Sequence, residues 1–194
     1  AEDKTFFEHG GIDIPGLAGA VFDYVSKIGS GERARGGSTI TQQVAKNLLL
    51  GNEYSVTRKV KEAILARRIE AVLTKQQILE LYLNQIPLGR NSFGVQAASR
   101  TYFNKDVSDL SLNEMAFLAI LPKAPETYGR AKNQAKALER RDYVLREMLD
   151  NEYIDQAQYQ AARAAPLGIL PRGATANTLN MGGYFLEEVR RELI

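Results

Sequence analysis

Helix-start signals recur along this chain and constrain its fold more than any other feature. Three capping boxes, in which Ser or Thr is followed three residues later by Gln or Glu, begin at Thr39, Thr74 and Ser111. Behind each box, apolar residues step by three and four, which is the spacing of one helix face. The alternating runs and Asn-Gly turns that indicate strands are missing from the sequence. The sequence therefore predicts an all-α domain.

The stretch from Gly36 to Glu70 predicts a loop, a helix, a turn and a second helix. The first helix carries a polar strip of Gln42, Gln43 and Lys46. Its apolar residues predict a buried face made of Ile40, Val44, Leu48 and Leu49. On the second helix the apolar positions again step by three and four, at Val56, Val60, Ala63, Ile64 and Ile69. Both helices are therefore expected to be amphipathic.

The other side of the second helix places two cations one turn before a carboxylate, because Arg58, Lys59 and Glu62 are spaced i, i+1 and i+4. One interpretation is solvated helix surface, with an ion pair worth about 0.3 kcal/mol. The base-then-acid order is the less favourable one for helix stability, which favours a second interpretation, an anion site. In that site Lys46 and the two cations hold phosphate oxygens, and Glu62 orients a cation or a metal.

Composition narrows the class of protein. The apolar fraction of 44% and the charged fraction of 25% are those of a globular chain that buries a core. A formal net charge of +2 on 194 residues argues against a dedicated nucleic-acid binder. The absence of cysteine excludes disulfides and thiolate metal sites. A single histidine, His9, excludes a His-rich metal centre and leaves a Ser-His-Asp triad only if His9 itself serves.

The first residues place the carboxylates of Glu2 and Asp3 close in sequence to Phe6 and Phe7. A carboxylate against an apolar wall has a raised pKa, which suits a general acid or base. An exposed acidic terminus is the alternative interpretation.

Five segments stand out as motifs: Glu2, Asp3, Phe6 and His9 to Gly11; Gly37 to Gln43; Arg58, Lys59 and Glu62; Lys75 to Asn84; and Arg140, Val144, Leu145 and Met148. In this order they resemble the motifs of the family 51 peptidoglycan glycosyltransferase domain. That domain occurs in class A penicillin-binding proteins and their monofunctional relatives. The resemblance covers about residues 1–165, so residues 166–194 are expected to be a linker and the start of a following region.

The resemblance implies a lysozyme-like, mostly helical fold of two lobes with a central cleft. It implies polymerisation of lipid II, with the growing lipid-linked glycan as donor, on the outer, periplasmic face of the cytoplasmic membrane. Phosphoglycolipid inhibitors of the moenomycin type are expected to bind, and nucleic acid is not. The rival interpretation is a lysozyme-like hydrolase of finished peptidoglycan, which has no use for phosphate-binding cations. A helical binding module without catalysis is a second rival.

The resemblance also implies roles for single residues. Glu2 is the general base that deprotonates the acceptor 4-hydroxyl, and Asp3 orients its neighbours. Glu62 is an essential carboxylate that binds a metal, orients Arg58 or assists the leaving phosphate. A divalent metal, Mg²⁺ or Mn²⁺, is expected beside the cations, and no organic cofactor. Five further residues are expected to position sugar and phosphate or to hold the cleft together: Ser38, Thr39, Gln42, Gln43 and Asn84.

Two further expectations follow from the resemblance. Many family members carry an arginine four residues before the Arg-Lys pair, and this chain has Tyr54, which offers a hydrogen bond without charge. The apolar residues between Ile14 and Ile28 recur at helical spacing. Core packing is their usual purpose, but the corresponding region of relatives leans on the bilayer, so membrane contact is favoured for part of this face. His9 is interpreted as structural.

Overall fold

The computed structural model describes residues 2–28, 36–49 and 56–173. These residues form nine α-helices: α1 Ile14–Ser26, α2 Ile40–Leu49, α3 Val56–Val72, α4 Lys75–Gln85, α5 Val95–Phe103, α6 Leu112–Ile120, α7 Pro125–Tyr128, α8 Gln134–Asp150 and α9 Gln156–Ala164. The only extended pairing in the described ranges is an isolated bridge between Pro87 and Phe93. The predicted all-α class is thereby confirmed. The chain divides into two compact units, residues 1–86 and 87–194.

In the first unit, α2 packs against both α3 and α4. The predicted capping box begins α2, because the Gln42 N–H donates to Thr39 Oγ1 at 3.1 Å and the Thr39 N–H donates to Gln42 Oε1 at 3.0 Å. Ile40 and Val44 are buried as predicted. The Thr39 hydroxyl also donates to the Gly11 carbonyl at 2.8 Å, which ties the N-terminal segment to the start of α2.

Close backbone packing holds the N-terminal segment against α3. Gly11 has a φ of +87°, and a Cβ there would lie 2.9 Å from the Ala66 carbonyl oxygen. Both the left-handed backbone and the lack of space require glycine at this position.

The buried side of α3 is not its apolar stripe. Val60 and Ile64 are 54% and 49% exposed, whereas Glu62 and Ala66 are buried at 2% and 0%. The apolar residues of α3 do recur at helical spacing, as the sequence indicated. The side chains that face the neighbouring helices are nevertheless the small Ala66 and the charged Glu62. This orientation brings a carboxylate into the interior of the first unit.

The residues of α1 leave a broad apolar face uncovered. The exposed side chains are Ile14, Leu17, Val21, Phe22 and Val25, with Phe22 at 77% exposure, and Ala20 is the only buried one among the side chains of this helix that the structure describes. None of the described helices has both the length and the apolar character that crossing a bilayer requires.

In the second unit, α6 packs on α8, and α9 contacts both. The rings of Tyr102, Phe103 and Phe117 lie 5.4 to 6.5 Å apart between centroids and form an aromatic cluster in the core. The other two predicted capping boxes are confirmed, at Thr74 for α4 and at Ser111 for α6. The predictions for Tyr54, for the glycine-rich stretch at 29–35 and for residues 174–194 lie outside the described residues.

Candidate active site

The N-terminus of α2 holds the carboxylate of Asp3. Asp3 Oδ2 accepts the backbone N–H of Ile40 at 3.0 Å and lies 3.0 Å from His9 Nε2, while Oδ1 lies 3.1 Å from the same nitrogen. A negative charge at this end of a helix is stabilised by the unpaired N–H groups and the helix dipole. Both Asp3 oxygens therefore have donors, as befits a residue that orients its neighbours.

His9 fixes Asp3 from the other side, and its hydrogen bonds define its tautomer. The Gly11 N–H donates to His9 Nδ1 at 3.2 Å, so Nδ1 is an acceptor. The proton of the neutral ring is then on Nε2, which donates it to Asp3. The arrangement matches the structural role expected for His9.

Glu2 is half-buried and makes neither a hydrogen bond nor an ion pair with any described residue. Its charge acts on the phenol of Tyr82 on α4. Burial raises the pKa of Tyr82, and the charges of Glu2 and Asp3 raise it further. The two predicted carboxylates thus share one neighbour, and only Asp3 is held by hydrogen bonds within the described chain.

The cluster on α3 is a buried carboxylate between two cations. Glu62 Oε2 accepts from Lys59 Nζ at 2.7 Å, and Glu62 Oε1 lies 3.0 Å from Arg58 Nε. The Arg58 contact is not aligned as a hydrogen bond, so it acts as a charge pair. The side chain of Arg58 is 12% exposed and that of Glu62 is 3% exposed, which excludes the interpretation as solvated helix surface for both.

Lys59 connects this cluster to the loop before α2. Its ammonium group donates to Ser38 Oγ at 2.7 Å, and its side chain is 47% exposed. Ser38 precedes Thr39, which caps α2 beside Asp3. The second and third motifs are thus joined by a direct hydrogen bond, and Lys59 keeps one side open to a ligand.

The structure brings some predicted site residues together and leaves others apart. Thr39 and Gln42 are buried in the α2 capping box, and Gln43 is half-buried beside them. Lys46 and Asn84 are exposed, and neither forms a hydrogen bond or an ion pair with a described residue. Their predicted contacts with substrate stay predictions.

A protein-bound divalent metal does not fit the described residues. No three acidic or histidine side chains in the described ranges converge on one point. Both oxygens of Glu62 already face cations, and both oxygens of Asp3 face N–H donors. Of the roles that the resemblance implies for Glu62, the orientation of Arg58 agrees best with these contacts.

A supporting network that sequence reasoning missed surrounds Glu70. Its Oε1 accepts from the Thr41 hydroxyl at 2.6 Å and from Lys75 Nζ at 2.7 Å. Lys75 also lies 4.5 Å from the centroid of the buried Phe6 ring. The network therefore joins the first, second and fourth motifs through α3. Phe6 and Lys75 stood within recognised motifs, but only the packing shows that they meet.

Comparisons with known proteins show which family the sequence matches. Residues 1–149 match the family described as Transglycosylase. The whole chain is 45% identical over 194 residues to penicillin-binding protein 1A of Rickettsia prowazekii, of which it covers 24%. Penicillin-binding protein 1A of Vibrio cholerae is 46% identical over 190 residues, which are 98% of this chain and 22% of that protein.

One solved structure is also similar, the crystal structure of penicillin-binding protein 1A from Haemophilus influenzae. It shares 36% sequence identity with this chain, with a TM-score of 0.46 over 79% of this chain and 19% of that one. The chain spans about a quarter of the length of the curated relatives that it matches.

Proposed function

The chain belongs to the transglycosylase family of peptidoglycan glycosyltransferases, and we propose that it polymerises lipid II into β-1,4-linked glycan strands. The resemblance drawn from the five motifs is confirmed by this membership. Membership also carries the lysozyme-like fold class that the sequence predicted.

The observation that carries the proposal is the pairing of two cations with one buried carboxylate on α3. Glu62 neutralises one of the two charges, so the cluster of Arg58, Lys59 and Glu62 keeps a net charge of +1. A pyrophosphate leaving group needs its developing charge neutralised more than it needs a proton. The half-exposed Lys59 can turn from Ser38 to a phosphate oxygen while Glu62 keeps Arg58 in place.

The reaction is a direct displacement. The acceptor 4-hydroxyl oxygen attacks the anomeric carbon of the donor sugar, and its proton passes to the Glu2 carboxylate. The bond between the anomeric carbon and the phosphate oxygen breaks, and its electron pair leaves with the lipid pyrophosphate. A single displacement inverts the anomeric centre and gives the β-1,4 linkage.

The two carboxylates of the first motif differ in a way that suits these roles. Asp3 is held on both oxygens by His9 and by the α2 N-terminus, and it therefore positions this segment. Glu2 has no such partners among the described residues and is available to accept a proton. Because the acidic pair is adjacent in sequence, fixing Asp3 also limits where Glu2 lies.

A divalent cation enters the proposal only as a companion of the substrate. Since the described residues do not form a metal site, Mg²⁺ or Mn²⁺ would be held by the pyrophosphate oxygens. The charge neutralisation described here depends on Arg58 and Lys59 alone. Removing the cation with EDTA and restoring it tests how much of the rate depends on it.

We also propose contact with the outer, periplasmic face of the cytoplasmic membrane, through the uncovered apolar face of α1. A lipid-linked substrate has to be drawn from the bilayer, and exposed Val21 and Phe22 suit an interfacial helix. Phosphoglycolipid inhibitors of the moenomycin type present phosphate beside a sugar, so they should compete for the same cations.

The test is polymerisation of lipid II in detergent with Mg²⁺, comparing the wild type with Glu2→Gln. Loss of a general base should lower the rate by roughly 10²- to 10⁴-fold. Glu8→Gln is the matched control, because Glu8 is an exposed glutamate of the same segment. Equal polymer from the wild type and Glu2→Gln would contradict the assignment of the base.

The choice of substrate distinguishes the proposed glycosyltransferase from the rival hydrolase, which acts on finished peptidoglycan. Incubation of the protein with purified sacculi should release no muropeptides. Release of muropeptides without polymer from lipid II would favour the hydrolase.

A further inference from the structure

Tyr82 carries a buried hydroxyl group that has no hydrogen-bond partner among the residues that the structure describes. The residue is 6% exposed, and its hydroxyl oxygen finds neither donor nor acceptor within the described part of the chain. A phenol that is buried in this way forfeits its hydrogen bonds to water without replacement. An unsatisfied buried polar group in a native structure calls for an explanation, and a role in catalysis is one of those that are known.

A second tyrosine shows what a structural phenol looks like in this chain. Tyr102 is 0% exposed, and its hydroxyl donates to the Leu88 carbonyl at 2.8 Å. Tyr82 and Tyr102 are both buried helical tyrosines, one in each unit, and they differ in whether the hydroxyl is satisfied. The contrast indicates that the fold alone does not account for the hydroxyl of Tyr82.

We propose that Tyr82 is a positioning residue whose hydroxyl donates a hydrogen bond to the Glu2 carboxylate when the acceptor sugar binds. This inference rests on the proposed function, in which Glu2 is the base. Catalytic hydrogen bonds are often long or poorly aligned in a free enzyme and shorten only when substrate is bound.

Glu2, rather than Asp3, is the partner that the contacts favour. Both Asp3 oxygens already accept N–H donors, from His9 and from Ile40. Glu2 makes no hydrogen bond to a described residue, and its charge acts on Tyr82 more strongly than that of Asp3. Among the described residues, a hydroxyl without a hydrogen-bond partner therefore lies within electrostatic range of a carboxylate without one.

The bond would fix the orientation of the base. One Glu2 oxygen would take the hydrogen bond from Tyr82, which leaves the other to face the acceptor 4-hydroxyl. Tyr82 itself exchanges no proton with the substrate.

The test compares Tyr82→Phe with Tyr102→Phe in the purified protein, by lipid II polymerisation and by thermal unfolding. Tyr82→Phe should lower kcat by roughly tenfold or more, with KM nearly unchanged, because a hydrogen bond to a charged base is lost. Its Tm should stay equal or rise, because an unpaired buried hydroxyl is removed. Tyr102→Phe should keep kcat and lower Tm by roughly 2–6 °C.

A double variant shows whether Tyr82 acts through Glu2. In a Glu2→Gln background, adding Tyr82→Phe should lower the residual rate much less than tenfold, because the base that Tyr82 positions is already lost. An unchanged kcat in Tyr82→Phe, with active wild type, would overturn this inference and leave the proposed function standing. A lowered Tm like that of Tyr102→Phe would also overturn it, since the hydroxyl would then be structural. A wild type that makes no polymer would overturn the proposed function and this inference together.

Discussion

Glu62 in the first unit and Arg141 in the second are buried charges with different kinds of partner. In the first unit, buried Glu62 is surrounded by the side chains of Arg58 and Lys59. In the second, Arg141 is 1% exposed and donates to the backbone carbonyls of Ala165 at 2.6 Å and Arg163 at 2.8 Å. Its Nε and Nη2 also contact Asp142, the next residue of α8.

This difference distinguishes a candidate ligand site, around Glu62, from a structural contact. We call the contact of Arg141 with the carbonyls of Arg163 and Ala165 the clamp. Backbone carbonyls are part of the fold and cannot leave, so Arg141 fastens the end of α9 to α8. Side-chain partners such as Lys59 can exchange one contact for another, so the charges around Glu62 can be offered to a ligand. Substitution of Arg141 should therefore lower the free energy of unfolding, while changes around Glu62 should lower activity in a folded protein.

The largest effect is expected at the clamp. Arg141→Met should lower the free energy of unfolding by about 3 kcal/mol, because two carbonyls and Asp142 lose a buried charged donor. Chemical denaturation measures the loss. Arg146→Met is the control, because Arg146 is an exposed arginine of the same helix and should change stability by less than about 0.5 kcal/mol. Similar stabilities of the two variants would contradict the role of Arg141 as a clamp.

A smaller effect, on activity rather than stability, is expected at the site. Lys59→Ala should lower lipid II polymerisation about a hundredfold, because one cation that stabilises the leaving pyrophosphate is lost. The unfolding free energy should change by less than about 1 kcal/mol, since the side chain is 47% exposed.

Lys61→Ala is the matched control for Lys59→Ala. Lys61 is an exposed lysine on α3, two residues further along. If both variants lost activity equally, general positive charge rather than the contact of Lys59 with Glu62 would explain the effect.

The helix starts could be predicted from the sequence because they depend on local chemistry. A capping box joins residues three apart, so Thr39 with Gln42 and Thr74 with Gln77 needed no knowledge of the tertiary fold. The same locality explains why the ion pairs of Arg58 and Lys59 with Glu62 were foreseen, since all three lie within one helical turn and a half.

The burial of α3 could not be predicted in this way. Apolar periodicity assumes that the apolar face is the covered one, whereas α3 exposes Val60 and Ile64 and buries Glu62. Which face is covered depends on how α2 and α4, the helices before and after α3, pack against it. The unpaired hydroxyl of Tyr82 was missed for the same reason, because its surroundings come from the first motif.

Exposed apolar surface extends the comparison between the units. In the first unit, α1 carries Ile14, Val21, Phe22 and Val25 side by side on one uncovered helix. In the second unit, the exposed apolar side chains are spread over several elements: Phe93 lies outside the helices, Val107 lies on a 3₁₀ turn and Met115 lies on α6. A continuous apolar face is what an interfacial helix needs, whereas scattered residues are common on any surface.

The smallest effect is therefore expected from one phenylalanine of α1. Phe22→Ser should weaken binding to vesicles of phosphatidylcholine and phosphatidylglycerol about fivefold, because part of an aromatic ring no longer leaves water. Phe93→Ser is the matched control, since Phe93 is 63% exposed in the second unit and Phe22 is 77% exposed in the first. Sedimentation with the vesicles measures both. Equal weakening by the two substitutions would show that the apolar face of α1 has no special affinity for the bilayer.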